Sequence, residues 1–191
     1  MALTKPAAGQ WRYEDLFSLP DDGKRYEIIE GELFEMPAPS SAHQTIIMNV
    51  ILLIAPVIQA MGGRILVSPL DVFFEGADPV QPDIVVMLSG WTGTLYQRGP
   101  QGAPDLLIEI LSPSNRGHDV LTKRALYALA GVREYWIVDP ENRTIEILTL
   151  DQDAFHTASV VSGQDSVISP LLGAMTFPLA AVFARLDDIQ D

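Results

Sequence analysis

Three short apolar runs punctuate the middle of the chain: residues 84–87 behind Gln81-Pro82-Asp83, residues 106–111 behind Pro104-Asp105, and residues 135–138 between Glu134 and Asp139-Pro140. Each is a handful of residues rich in Val, Ile or Leu and bounded by Pro, Gly or Ser, the pattern of a β-strand. The first two do not alternate apolar with polar positions, so both of their faces are expected to be covered, as in an interior strand of an α/β sheet. Between the second and third runs, residues 119–130 form an amphipathic helical pattern. Asp119 can cap it, Gly131 ends it, and Lys123 and Tyr127 share a face at i and i+4.

The flanking chain supplies the other elements. Residues 11–19 predict a short helix with Tyr13, Leu16 and Phe17 on one face, and residues 25–36 predict two short strands around Glu30-Gly31. Residues 41–61 predict a long helix with a capping box on Ser41 and Gln44 and a stop at Gly62-Gly63. Its apolar density invites a membrane reading, but Asn49, Pro56 and Gln59 interrupt a run short of the roughly 20 residues that span a bilayer. A core helix kinked at Pro56 is expected instead. Residues 64–75 predict the first strand of the central sheet, with Asp71 inside it as a structural residue. Residues 88–103 form a long loop with Trp91, Tyr96, Arg98 and four glycines, a candidate lid or a variable surface insertion. Residues 144–150 and 155–161 predict an antiparallel pair, and residues 167–183 a packed tail with one helical turn.

Polar groups that break this pattern carry the candidate chemistry. Glu109 sits inside an apolar strand, where an ionised carboxylate is costly without a compensating cation or donor set. Asp83 sits at the mouth of the preceding strand, and neighbouring strands can bring the two side by side. Two adjacent carboxylates repel unless a metal ion lies between them. Oxygen-only ligands favour magnesium or manganese over zinc. The chain has 191 residues, 48% of them apolar, and no cysteine. One globular domain over residues 1–191 follows, with a loose tail at 1–10, no disulfides and no thiol catalysis. No stretch near the start has the apolar core of a signal peptide, so a cytoplasmic protein without a membrane span is expected. The formal charge of −13 opposes broad electrostatic capture of nucleic acid. Arg116, His118, Lys123, Arg124 and Arg133 form the densest basic stretch, either a solvated face or a phosphate-facing patch.

Taken in order, Pro82-Asp83 and Glu109-Ile110-Leu111 resemble the PD-(D/E)XK nuclease superfamily. Tyr26-Glu27-Ile28-Ile29-Glu30-Gly31-Glu32-Leu33, Gln81-Pro82-Asp83, Ile108-Glu109-Ile110-Leu111-Ser112-Pro113-Ser114 and Gly131-Val132-Arg133-Glu134-Tyr135-Trp136-Ile137-Val138-Asp139 resemble the Uma2 family of endonucleases more closely. The resemblance implies a restriction endonuclease-like α/β fold: a mixed β-sheet flanked by helices, with added β-hairpins at both ends. Leu111 stands where the superfamily usually has lysine. The resemblance implies that Lys123, on the following helix, supplies it, and it raises His43 and Glu27 as further candidate catalytic residues. For both, an ordinary surface or capping role is the alternative.

The function expected is a magnesium- or manganese-dependent endonuclease acting on DNA. Asp83, Glu109 and the Ile110 carbonyl would bind the metal, Lys123 would serve the attacking water, and Arg98, Arg116, Arg124 and Arg133 would contact substrate. DNA binding is expected to be weak and salt-sensitive, and a homodimer is a possible assembly. The alternatives are an inactive acidic nuclease-fold domain serving as a protein-interaction module, and a phosphodiesterase acting on a small substrate.

Overall fold

A computed structural model describes residues 9–20, 22, 25–29, 31–36, 38–112, 119–173 and 175–190. Near the N-terminus the expected short helix is a 3-10 helix, Tyr13–Ser18. An antiparallel hairpin follows, β1 (Arg25–Ile29) and β2 (Glu32–Met36). Helix α1 spans Ser41–Ala60. The cap is Ser40 and not Ser41: its hydroxyl accepts from the His43 N–H at 3.2 Å, satisfying one of the helix's first free donors. Gly62, at φ +67°, follows the last turn in the left-handed conformation that suits glycine.

Strand β3 is only Arg64–Val67. The expected strand to residue 75 stops early because Pro69 has no N–H to continue the ladder. Asp71 lies beyond it, in a segment closed by a Val72–Val80 bridge. Strand β4 is Ile84–Met87. The segment at 88–103 is not an open loop: β5 (Thr94–Tyr96) and β6 (Gly99–Gln101) form a hairpin. The Trp91 indole N–H donates to the Ala103 carbonyl at 2.7 Å to pin its base. Gly99 is required there, since a Cβ would lie 1.8 Å from the Asp71 carbonyl oxygen.

Strand β7 (Leu106–Ile110), helix α2 (Asp119–Ala130) and strand β8 (Glu134–Asp139) follow. β7 and β8 are parallel, so the chain must cross over between them, and α2 makes the crossing. β9 (Thr144–Asp151) and β10 (Ala154–Val161) form the expected pair. They extend the central sheet, which runs β10-β9-β8-β7-β4-β3. The tail holds a small β11 (Ser166–Ile168)–β12 (Thr176–Pro178) hairpin and one helical turn, α3 (Leu179–Val182).

Strand periodicity divides the core into two layers. Ile84, Val86, Leu106, Ile108 and Ile110 pack in one cluster with α1 residues Ile46, Val50, Ile54 and Ile58. Val85, Leu107, Tyr135 and Ile137 pack in the other with Tyr127 and Ala128 of α2. At 20 residues and mean hydropathy 1.7, α1 is long and apolar enough to cross a membrane, so length does not argue against a span. Its Ile46, Val50, Ile54 and Ile58 side chains are completely buried against the sheet, while Met48 and Leu52 are exposed.

Candidate active site

The site is built at one end of the two central strands. β4 and β7 are antiparallel with Ile84 opposite Ile108, so one step further Asp83 falls opposite Glu109. Directly opposed residues lie about 5 Å apart at Cα, close enough for their carboxylates to share a cation. Glu109 has the parity of Leu107, so its side chain enters the α2 layer. There the Tyr127 hydroxyl donates to Glu109 Oε1 at 2.8 Å, and Lys123 Nζ lies 3.3 Å from the same oxygen. Lys123 is 3% exposed, whereas Leu121 is 68% and Leu129 74% exposed. The helix thus turns a lysine inward and two leucines outward, because the i, i+4 face holding Lys123 and Tyr127 meets the one acid in this layer of β7.

Asp83 is held differently. Its Oδ2 accepts the Ile110 backbone N–H at 2.8 Å and lies 3.1 Å from His43 Nε2. The first turn of α1 therefore reaches the site. With Asp83 ionised, His43 Nε2 is the donor of this contact, and Nδ1 is the ring nitrogen left over. That Nδ1 is buried and meets no partner among the described residues. Asp83 Oδ1 likewise has no hydrogen-bond partner among them.

The donor set fits a hard divalent cation. No group of three His, Cys, Asp or Glu side chains converges on a metal position among the described residues. Two carboxylates and a backbone carbonyl are nevertheless the sparse oxygen set that suits magnesium, which keeps several of its waters. The unengaged Asp83 Oδ1 is the available oxygen.

The other sequence-predicted residues are dispersed. Arg124 donates to the Phe155 carbonyl at 3.1 Å and faces Glu146 at 3.9 Å, on the β9–β10 side. Arg133 pairs with Asp105 at 2.8 Å, at the opposite end of β7. Four residues of strand, about 13 Å, separate Asp105 from Glu109, so Arg133 does not join the acids. Arg98 stacks over Phe17 at 4.7 Å and Tyr13 at 5.9 Å. Arg116 and the Glu27 side chain lie outside the described residues. Tyr127 was not among the expected site residues, although its i, i+4 relation to Lys123 was the signal that could have found it.

A relay joins the mouth of β4 to the N-terminal segment. Asp71 accepts from Gln81 Nε2 at 2.9 Å and from the Tyr13 hydroxyl. Burial, with the Asp71 carboxylate beside it, pushes the Tyr13 phenol up to about 12, so it remains a donor.

The sequence profile of the Uma2 family, described as "Putative restriction endonuclease", matches residues 13–180. The chain belongs to the Uma2 family. A solved structure from Anabaena variabilis ATCC 29413, described as "a putative nuclease belonging to DUF820", is 25% identical to it, with a TM-score of 0.70. The likeness covers 90% of this chain and 96% of that one. No curated protein matches. Within this Uma2 chain the mixed six-stranded sheet between α1 and α2 is the nuclease-like fold expected from the ordered motifs.

Proposed function

We propose that this chain is a metal-dependent endonuclease that hydrolyses phosphodiester bonds in DNA, with magnesium or manganese as its cation. The observation that supports this most is the cross-strand pair Asp83 and Glu109 with a buried Lys123 ammonium 3.3 Å from Glu109. Asp83, Glu109 and the Ile110 carbonyl would hold the cation. A divalent ion bound there supplies Lewis-acid polarisation of the phosphodiester.

The protein's own groups do the rest. Ile110 N–H and His43 hold Asp83 by Oδ2 and leave Oδ1 for binding. Tyr127 and Lys123 hold Glu109 by Oε1. Lys123 has N–H donors to orient the attacking water and steady negative charge on the phosphoryl oxygens. The attacking water forms one P–O bond and gives up a proton, one ester P–O bond breaks, and the departing alkoxide takes up a proton, so that the sum is one water consumed. The net charge of −13 leaves few phosphate contacts. Affinity should therefore be weak and fall with salt, by about 0.9 log per neutralised phosphate on a log–log plot for duplex DNA. The cytoplasmic setting and the homodimer belong to the same proposal.

One observation favours a second reading. Glu109 Oε1 already meets both Lys123 and Tyr127, so this end of the sheet can be neutralised without a cation, as in an inactive domain that serves as an interaction module. Supercoiled plasmid incubated at low salt with magnesium or manganese separates the two. Nicking by the wild type and not by Asp83→Ala is the expected result. Absence of nicking by a folded wild type that also binds no manganese in calorimetry would favour the second reading.

A further inference from the structure

A cleft of roughly 950 Å³ lies along a face of α2 that holds neither Lys123 nor Tyr127. Thr122, Leu126 and Leu129 of α2 line it together with Tyr13, Phe73 and the segment at 76–80. Arg12 and Arg98 both line it. Neither guanidinium has an ion-pair partner among the described residues. Among the described residues with a placed side chain, Lys123, Arg124, Arg133, Arg143 and Arg185 meet a carboxylate, whereas the exposed Arg12, Arg98 and Arg64 do not, and of these three only Arg12 and Arg98 line the cleft. Glu14 and Asp78 also line the cleft, yet neither pairs with either arginine. Arg98 is held over the Phe17 and Tyr13 rings and keeps its N–H donors for an acceptor.

The walls say what kind of anion fits. A volume of this size is that of a small-molecule site, about 300–1,000 Å³, and too large for a bare phosphate. Aromatic and leucine side chains suit a flat, weakly polar body. Two arginines offset by two acids leave the lining near neutral, sufficient for one phosphate and insufficient for a long polyanionic track. Hydrogen bonds link the cleft to the segment that leads into the candidate active site. Thr122 precedes Lys123 in α2, and Tyr13 shares Asp71 with Gln81, two residues before Asp83.

We propose that this cleft binds one unstacked nucleotide, its phosphate on Arg12 and Arg98 and its base against Tyr13, Phe73 and the α2 leucines. As a unit of a strand, it makes single-stranded or locally opened DNA the preferred substrate. That substrate assignment rests on the nuclease reading, but the binding itself does not require turnover.

The test measures fluorescence anisotropy of a short labelled oligothymidine with the full chain, in chelator and at low salt. The single strand should bind more tightly than a duplex of equal length. Arg98→Ala and Arg12→Ala should each weaken binding at least about tenfold, the value of a lost charged hydrogen bond. Arg98→Lys should fall between, because it keeps the charge and loses the planar fork. Arg64→Ala should bind like the wild type. Thermal melts identify any variant that fails to fold, and Arg98→Lys and Arg12→Ala then carry the test. Competition by thymidine monophosphate would identify a free-nucleotide site, and strand binding without it would identify a site for one unit of a strand. Wild-type affinity in Arg12→Ala and Arg98→Ala, or equal losses from Arg64→Ala, would overturn the proposal. Arg98-dependent binding without plasmid nicking would count against the nuclease reading alone.

Discussion

The two ends of β7 carry the same kind of residue in opposite circumstances. At the N-terminal end, Asp105 is 8% exposed and Glu134 fully buried. Both oxygens of each are engaged. Asp105 accepts from the Leu88 N–H at 2.7 Å and from Arg133 at 2.8 Å. Glu134 accepts from the Trp136 indole and Ser169 on one oxygen and from the Leu171 N–H on the other. These acids tie β8 to the C-terminal segment and β7 to the turn after β4. At the C-terminal end, the buried His43 Nδ1 and the solvent-accessible Asp83 Oδ1 are left without partners among the described residues. A buried acid is therefore not a mark of function by itself. A polar cluster whose donors and acceptors stop short of closure is the stronger mark, because unpaired buried polar groups are costly unless something binds them.

The sharpest way to break this contrast is Lys123→Met. It removes the cation from a pair whose side chains are 4% and 9% exposed. Breaking a buried pair on one side costs about 3–5 kcal/mol. Urea unfolding in chelator should show a loss of that order, and manganese should restore part of it by neutralising Glu109. Plasmid nicking should fall by about a hundredfold or more, the scale of a lost electrostatic stabiliser. A Lys123→Met protein as stable as the wild type in chelator would mean that the pair is not a structural element.

A smaller effect is expected at the closed end. Asp105→Asn turns an acceptor of Leu88 N–H or Arg133 into a donor, and should cost about 1–3 kcal/mol of stability. Manganese affinity and nicking per folded molecule should not change. Loss of manganese binding in this variant would show that the two ends are not separable.

The smallest effect concerns pH. Burial pushes the Glu134 carboxyl upward, against the lowering hydrogen bonds from Ser169, Trp136 and Leu171. A carboxyl raised on folding favours its protonated form. Its stabilising contribution is thus full below the unfolded value and is lost as pH rises through the folded one. Relative to Glu134→Gln, the wild type should therefore lose stability over a pH range that starts near the ordinary glutamate value of 4.5 and extends upward from it. Paired urea titrations at the two ends of that range would read the difference, and a constant difference would mean that Glu134 does not titrate there.

Much of the architecture was legible without coordinates because it is written in local patterns. Continuous apolar runs specify strands covered on both sides, and β4 and β7 are buried along their whole lengths. Pro, Gly and Ser at their ends bound them. The strand at 64–75 was overextended because apolar residues continue past Pro69, where the ladder cannot. The segment at 88–103 read as a loop because its two strands are only three residues each, too short for alternation to register.

What the sequence determined alone is the central strands and helices, with one acid at the mouth of an apolar strand and another inside a second one. Backbone geometry and side-chain burial act over a few residues, so they can be read along the chain. Only the tertiary structure decided that β4 and β7 pair with Asp83 opposite Glu109, that Lys123 and Tyr127 face Glu109, and that His43 reaches Asp83. It also dispersed the basic stretch, sending Arg124 to β9–β10 and Arg133 to the far end of β7. Residues close in sequence were separated because a strand carries the chain about 3.3 Å per residue and a helix turns each side chain about 100° from the last. Which charges meet is therefore settled by strand register and helix phase, both properties of the assembled core.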